Sequence, residues 1–185
     1  MQSPTTLIAP IIGLESLQEF RIKHLRRPSV TLPPHISICP EFLPTLALGR
    51  VGLDGVSKAA NMREPFYLTF RRTERHQAGS SILYMVPDSS EDLVGLCQDV
   101  HRAYSSKLGE HIHRPLHLTL GVFESPDEMV KAESEFSKLW GGQMPLTGRV
   151  ERLELYEKQG GVWQCQAAFY LVEKVIESGA PDLAG

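Results

Sequence analysis

Apolar and polar positions divide the chain into short strand-like runs and helical stripes. Thr5–Ile12 is β-branched and apolar and predicts a strand. Leu14–Leu25 predicts a helix, with Leu14, Leu17 and Phe20 at helical spacing, and Arg26-Arg27-Pro28 breaks it. A strand near His35–Cys39 follows. Pro44–Asn61 is ambiguous: Gly49, Gly52 and Gly55 weaken a helix, whereas Val51, Val56 and Ala59-Ala60 favour a short one later. Phe66–Arg72 and Ser80–Val86 read as strands joined by the polar loop Thr73–Gly79.

The second half is clearer. Ser89 and Asp92 resemble a capping box, with Asp in place of the usual Glu. Leu93, Leu96, Cys97, Val100 and Tyr104 then keep helical spacing to about Lys107. Leu116–Phe123 predicts a strand. Ser125-Pro126-Asp127-Glu128 is a helix start, with Ser at the N-cap, Pro at N1 and Glu at N3. Met129, Ala132, Phe136 and Leu139 form its buried stripe, and Gly141-Gly142 ends it. Pro145–Tyr156 and Val162–Leu171 read as a final strand pair, and the tail after Glu173 is expected to fray. The order of elements repeats approximately across the two halves. It predicts one domain over residues 1–185, made of two α+β lobes that each give a central strand to a shared cleft.

Those central strands carry the strongest signal. Pro33-Pro34-His35-Ile36-Ser37-Ile38 and Pro115-Leu116-His117-Leu118-Thr119-Leu120 share the pattern Pro, any residue, His, apolar, hydroxyl, apolar. One His-apolar-hydroxyl-apolar match arises by chance with a probability of ~0.1, and two with ~0.01. Strand alternation puts His35 and Ser37 on one face, and His117 and Thr119 on one face, each backed by aliphatic residues. Either segment alone reads as an ordinary structural strand; the pair in matching context points to a site with pseudo-twofold symmetry. Two imidazoles suit paired base and acid roles, and two hydroxyls can hydrogen-bond the non-bridging oxygens of a tetrahedral anion. Together they fit in-line displacement at phosphorus, with no metal or other cofactor expected. The residues leave open which histidine is the base.

Composition narrows the class. The chain has 185 residues, 42% hydrophobic and 22% charged, with a formal net charge of −3. It has no global basic field for non-specific nucleic-acid binding. Cys39, Cys97 and Cys165 show neither metal spacing nor a disulfide framework, and read as small buried hydrophobes in a reducing compartment. Leu7–Leu14 contains Pro10 and Gly13 and follows no basic residue, so it reads as neither signal peptide nor membrane span. A cytoplasmic, monomeric protein with no membrane contact and no obligate protein partner is expected.

On its two His-x-Ser/Thr-x motifs, His35-Ile36-Ser37-Ile38 and His117-Leu118-Thr119-Leu120, the chain resembles the 2H phosphoesterase superfamily. That group contains bacterial 2′-5′ RNA ligase-like proteins and 2′,3′-cyclic phosphodiesterases. The resemblance implies an α+β fold that is bilobal, with two pseudo-twofold-related antiparallel-sheet lobes, outer helices and a central cleft. It also implies metal-independent opening of a 2′,3′-cyclic phosphate on a nucleotide or RNA end, or cleavage of a 2′-5′ linkage. Many RNA-cyclic-phosphodiesterase members carry an arginine soon after the second motif, where this chain has Gly121, Val122 and Phe123.

Other residues are weaker candidates. Phe42, Phe123, Tyr156 and Trp163 could stack a base, although most aromatics in such a chain are core. Arg114 and His113 could add charge at the cleft mouth, and Arg26-Arg27 and Arg71-Arg72 could contact phosphate; each also reads as an ordinary solvated group. His111, His113 and His117 have a spacing that could ligate zinc, but lack an acidic or cysteine partner nearby. Two rival functions follow: a non-catalytic module binding a nucleotide or RNA end on the same fold, and a metal hydrolase using the histidine cluster.

Overall fold

The computed structural model describes residues 3–26, 32–43, 45–78, 80–104 and 115–173. The first half contains β1 (Thr5–Pro10), α1 (Leu17–His24), β2 (His35–Cys39), α2 (Thr45–Asn61) and β3 (Phe66–Ala78). The second contains β4 (Ser80–Pro87), α3 (Glu91–Tyr104), β5 (Leu118–Phe123), α4 (Pro126–Trp140), β6 (Leu146–Val150), β7 (Arg152–Gln159) and β8 (Val162–Tyr170). Every strand pairing is antiparallel, in the order β6-β3-β4-β5-β2-β1-β7-β8.

The sheet divides at its centre. β2 and β5 share one bridged pair, Ile36 opposite Leu118, with four strands on β5's side and four on β2's. Each group is one lobe of an α+β fold. Glu151 alone separates β6, at the far edge of one lobe, from β7 of the other, so the sheet curls to bring them together. A bridge between Ile12 and Arg149 closes the same corner. One face of the sheet packs against the helices. Leu7, Ile36, Leu68, Phe70, Leu83, Leu118, Leu120 and Leu155 point into this core with Leu17, Phe20, Leu96 and Phe136 of the helices. Full burial stabilises each such side chain by about 1.5–3 kcal/mol. A one-residue slip of β2 or β5 would turn the aliphatic set outward, which pins the register.

The reading of three stretches of secondary structure changes. α2 is one helix of 17 residues in spite of its glycines. Gly55 lets it approach α3: a Cβ there would lie 2.9 Å from the Tyr104 ring and 3.0 Å from Ala103 Cβ. Tyr104 fills that space, donating its hydroxyl hydrogen to the Gly52 carbonyl and accepting from Val56 N–H at 3.2 Å. The expected loop Thr73–Gly79 is strand as far as it is described: β3 continues to Ala78, paired with β4. Its strand signal is hidden because both faces are polar there. Thr73 and Arg75 donate to Glu133 of α4, while Glu74 and His76 alternate with them. The run from Pro145 to Tyr156 is two strands serving different lobes.

The α4 start follows the predicted cap. Ser125 Oγ accepts from Glu128 N–H at 3.3 Å, with Pro126 in the first turn. Cys39 is buried and Cys97 half-buried, and burial pushes both thiols up to about 12. Cys165 is exposed on β8, against the expectation of a buried hydrophobe. Among the described residues no helix is long and apolar enough to cross a membrane.

Candidate active site

The bridge between Ile36 and Leu118 sets the geometry. Continuing it by one residue each way puts His35 opposite Thr119 and Ser37 opposite His117. Each histidine thus faces the hydroxyl residue of the other motif, about a pseudo-twofold axis through the bridge. Ile36, Ile38, Leu118 and Leu120 are buried on the helix side, while the four polar residues are half-buried on the opposite face.

The shared proline has a structural role. His35 Nδ1–H donates to the Pro33 carbonyl at 2.7 Å, and His117 Nδ1–H donates to the Pro115 carbonyl at 2.8 Å. A carbonyl can only accept, so both rings are held with the proton on Nδ1, leaving Nε2 to take or give a proton. The two prolines that align in sequence are the ones whose carbonyls orient the rings; Pro34, directly before His35, has no such counterpart at Leu116.

The surroundings of the two rings differ. Ile8 lies opposite Ser37, and Pro10 opposite His35, so the His35 side is apolar. Burial and the nearby Arg21 cation lower the His35 pKa to about 4, and the second imidazole, His117, pushes the same way. Opposite Thr119 is Tyr84, whose ring centroid lies 4.9 Å from that of His117. The Tyr84 phenol is hydrogen-bonded to Glu74.

Arg21 is a site component that the sequence did not single out. It is a helix residue only 1% exposed. Its Nε donates to the Thr119 carbonyl at 2.9 Å, and Nη1 donates to Gln18 Oε1 at 2.6 Å and to the Leu32 carbonyl at 3.2 Å. Its donors thus join the Thr119 carbonyl of β5 to the Leu32 carbonyl ahead of β2, and burial lowers its own pKa to about 10. A buried guanidinium therefore supports the second motif strand from α1. Gly121 leaves its side-chain space to the Phe123 ring, 2.5 Å from where a Cβ would sit.

The remaining candidates separate. Tyr156 and Trp163 lie beside the site in a small cluster with Ile8 and Leu32 on the same face of the sheet. Phe42 and Phe123 do not reach that face. Phe42 is buried edge-on against Tyr104, and Phe123 is buried against His24, because both fall at helix-facing positions. Phe123 also lines a cavity of about 370 Å³ between the ends of α1 and β5 and helix α4. Neither motif histidine lines that cavity, and several of its polar groups pair there: Lys23 and His24 with Glu135, and Arg26 with Glu124. Arg71 pairs with Asp88 and Arg72 with Glu74. Arg27, His111, His113 and Arg114 lie outside the described residues. Among those described, no group of three or more His, Cys, Asp or Glu residues could hold a metal ion.

This fold and paired-histidine face define a class, and the chain belongs to the 2′-5′ RNA ligase superfamily, whose family model matches residues 10–162. Membership supports a phosphoesterase-type enzyme. Solved structures share the fold. LigT of Escherichia coli in its apo form is 13% identical, covering 94% of this chain and 100% of its own, with a TM-score of 0.57. TT0787 of Thermus thermophilus is 14% identical, covering 91% and 97%, with a TM-score of 0.56. A structure described as a phosphoesterase is 13% identical, covering 94% and 100%, with a TM-score of 0.55. No curated protein matches the sequence.

Proposed function

We propose that the protein is a phosphodiesterase that hydrolyses a 2′,3′-cyclic phosphate, on a nucleotide or RNA end, or a 2′-5′ linkage. The observation that carries this reading is the quartet around one bridge: two imidazoles fixed by equivalent Nδ1 bonds, each facing a hydroxyl residue of the other strand. Solved structures of similar fold hold 3′-AMP and ATP, which supports a nucleotide ligand.

In this reading His35, kept neutral by its apolar surroundings and by Arg21, is the base. Its Nε2 takes a proton as water attacks phosphorus. The bond to one ester oxygen breaks, and His117 Nε2–H gives that oxygen a proton. Ser37 and Thr119 donate to the non-bridging oxygens, whose charge grows in the transition state. The product is a phosphate monoester with a free hydroxyl. The two histidines end in exchanged protonation states and reset through solvent. Proton transfer and hydrogen bonding supply the whole step, so no metal is required.

The test is a substrate panel with EDTA present: the four nucleoside 2′,3′-cyclic phosphates, 2′-5′ oligoadenylate, and RNA with a cyclic end. Turnover of at least one is expected. Failure on all of them, with activity on a phosphoester appearing only after zinc or manganese is added, would replace this reading with the metal hydrolase. Binding of a cyclic nucleotide without turnover would replace it with the binding module.

A further inference from the structure

A second duplicated feature flanks the quartet. On β3, Arg72 and Glu74 are ion-paired at 2.9 Å, and on β7, Arg152 and Glu154 are ion-paired at 2.6 Å. Both are Arg-x-Glu, and their arginines lie 80 positions apart, close to the 82 that separate the motif histidines. The register makes them equivalent. Thr119 lies opposite Tyr84, which lies opposite Glu74; Ser37 lies opposite Ile8, which lies opposite Glu154. Each glutamate therefore stands two strands, roughly 10 Å, outward from the hydroxyl residue of its own lobe. Each also holds a phenol: Glu74 that of Tyr84, and Glu154 that of Tyr156 at 2.9 Å.

We propose that Arg72 and Arg152 are matched anion contacts, one per lobe, that bind the phosphates on either side of a reacting internal 2′-5′ linkage in a single-stranded oligonucleotide. This rests on the phosphodiesterase reading above. The Arg72–Glu74 pair is solvated and adds little stability, whereas Arg152 also partners the buried Glu154; what the two equivalent places share is a guanidinium held by a carboxylate with further donors left over. The carboxylate uses one guanidinium N–H, Nε of Arg152 or Nη2 of Arg72, and fixes the plane of a group with five donors. The tyrosine hydrogen bond holds the carboxylate in turn. Arg72 is 76% exposed and Arg152 27%, so both guanidinium groups reach solvent on the face that carries the quartet.

The test measures binding of a short fluorescein-labelled oligothymidylate by anisotropy over a salt series. Arg72→Gln and Arg152→Gln should each weaken binding by about tenfold or more. Each should also reduce the slope of log affinity against log salt by about 0.7, and the double variant by about twice that. Arg152→Lys keeps the cation and should keep the slope, which separates charge from any loss of folding around the partly buried pair; thermal melting of every variant accompanies the titration. A wild-type slope in either Gln variant overturns the two-sided contact. If the wild-type protein turns over a cyclic nucleotide while the slopes stay unchanged, this inference alone falls. If it turns over no phosphodiester, the proposed function falls and this falls with it.

Discussion

Acid should destabilise the wild-type protein more than a His35→Gln variant, by an amount that the site geometry sets. In the unfolded chain His35 takes a proton below about 6.5; in the native protein burial and the Arg21 cation hold it neutral until about 4. Between those values the unfolded state carries the extra proton, so stability falls as pH falls. At about 1.4 kcal/mol for each pH unit, the loss across the interval is roughly 3 kcal/mol. Above 6.5 both states are neutral at His35 and the contribution is flat. Glutamine can still donate to the Pro33 carbonyl but does not titrate. Glu133, held low by Arg75 and Thr73, and Glu135, held low by Lys23 and His24, also cost stability as acid protonates them. They do so in both proteins and cancel in the difference. The assay is urea unfolding of both proteins across this pH range, with m-values compared to confirm that the same transition is observed. The wild-type curve should fall away from the variant's between pH 6.5 and 4. Parallel curves would refute the claim that the folded protein keeps this imidazole neutral.

Three further outcomes are expected. Ser37→Ala and Thr119→Ala should each lower turnover of a cyclic nucleotide, by up to about 10²–10³-fold, with little change in melting temperature; wild-type rates in both would remove the hydroxyls from the chemistry. Arg21→Met should raise the His35 pKa, read by NMR titration, because it removes the cation that opposes protonation; an unchanged titration would remove Arg21 from the causes and leave burial and His117. Gly55→Ala should destabilise by about 1–3 kcal/mol in chemical denaturation, since its Cβ would lie 2.9 Å from the Tyr104 ring, and an unaffected variant would show that α2 and α3 separate without cost.

The quartet was legible because strand alternation is local: two short segments state which residues share a face. The carbonyl bonds from Pro33 and Pro115 are local too, and explain why those prolines recur. Arg21 was hidden because its partner, the Thr119 carbonyl, lies 98 positions away and its neighbours spell an ordinary helix. The outer half of β3 was missed because Glu133 lies under it, which makes the inward positions polar and erases the alternation. The length of α2 was missed because Gly55 serves packing against Tyr104, a contact that propensity cannot register. Phe42 and Phe123 suit a ligand by residue type alone; Phe42 lies past the end of β2, and an irregularity in the β4–β5 register after Thr119 turns Phe123, which simple alternation places with Thr119, into the core. The two Arg-x-Glu segments stood in the sequence from the start, but became a pair only when the strand register put both two strands from a hydroxyl residue.

The most direct test of the central claim is turnover of nucleoside 2′,3′-cyclic phosphates, in EDTA, by the wild-type protein, His35→Ala, His117→Ala and the double variant. Each single variant should lose roughly 10²–10⁴-fold in rate while remaining folded, and the double variant should be little worse than the poorer single one, because the two imidazoles act as a unit. A folded single variant with the wild-type rate would contradict the two-histidine account.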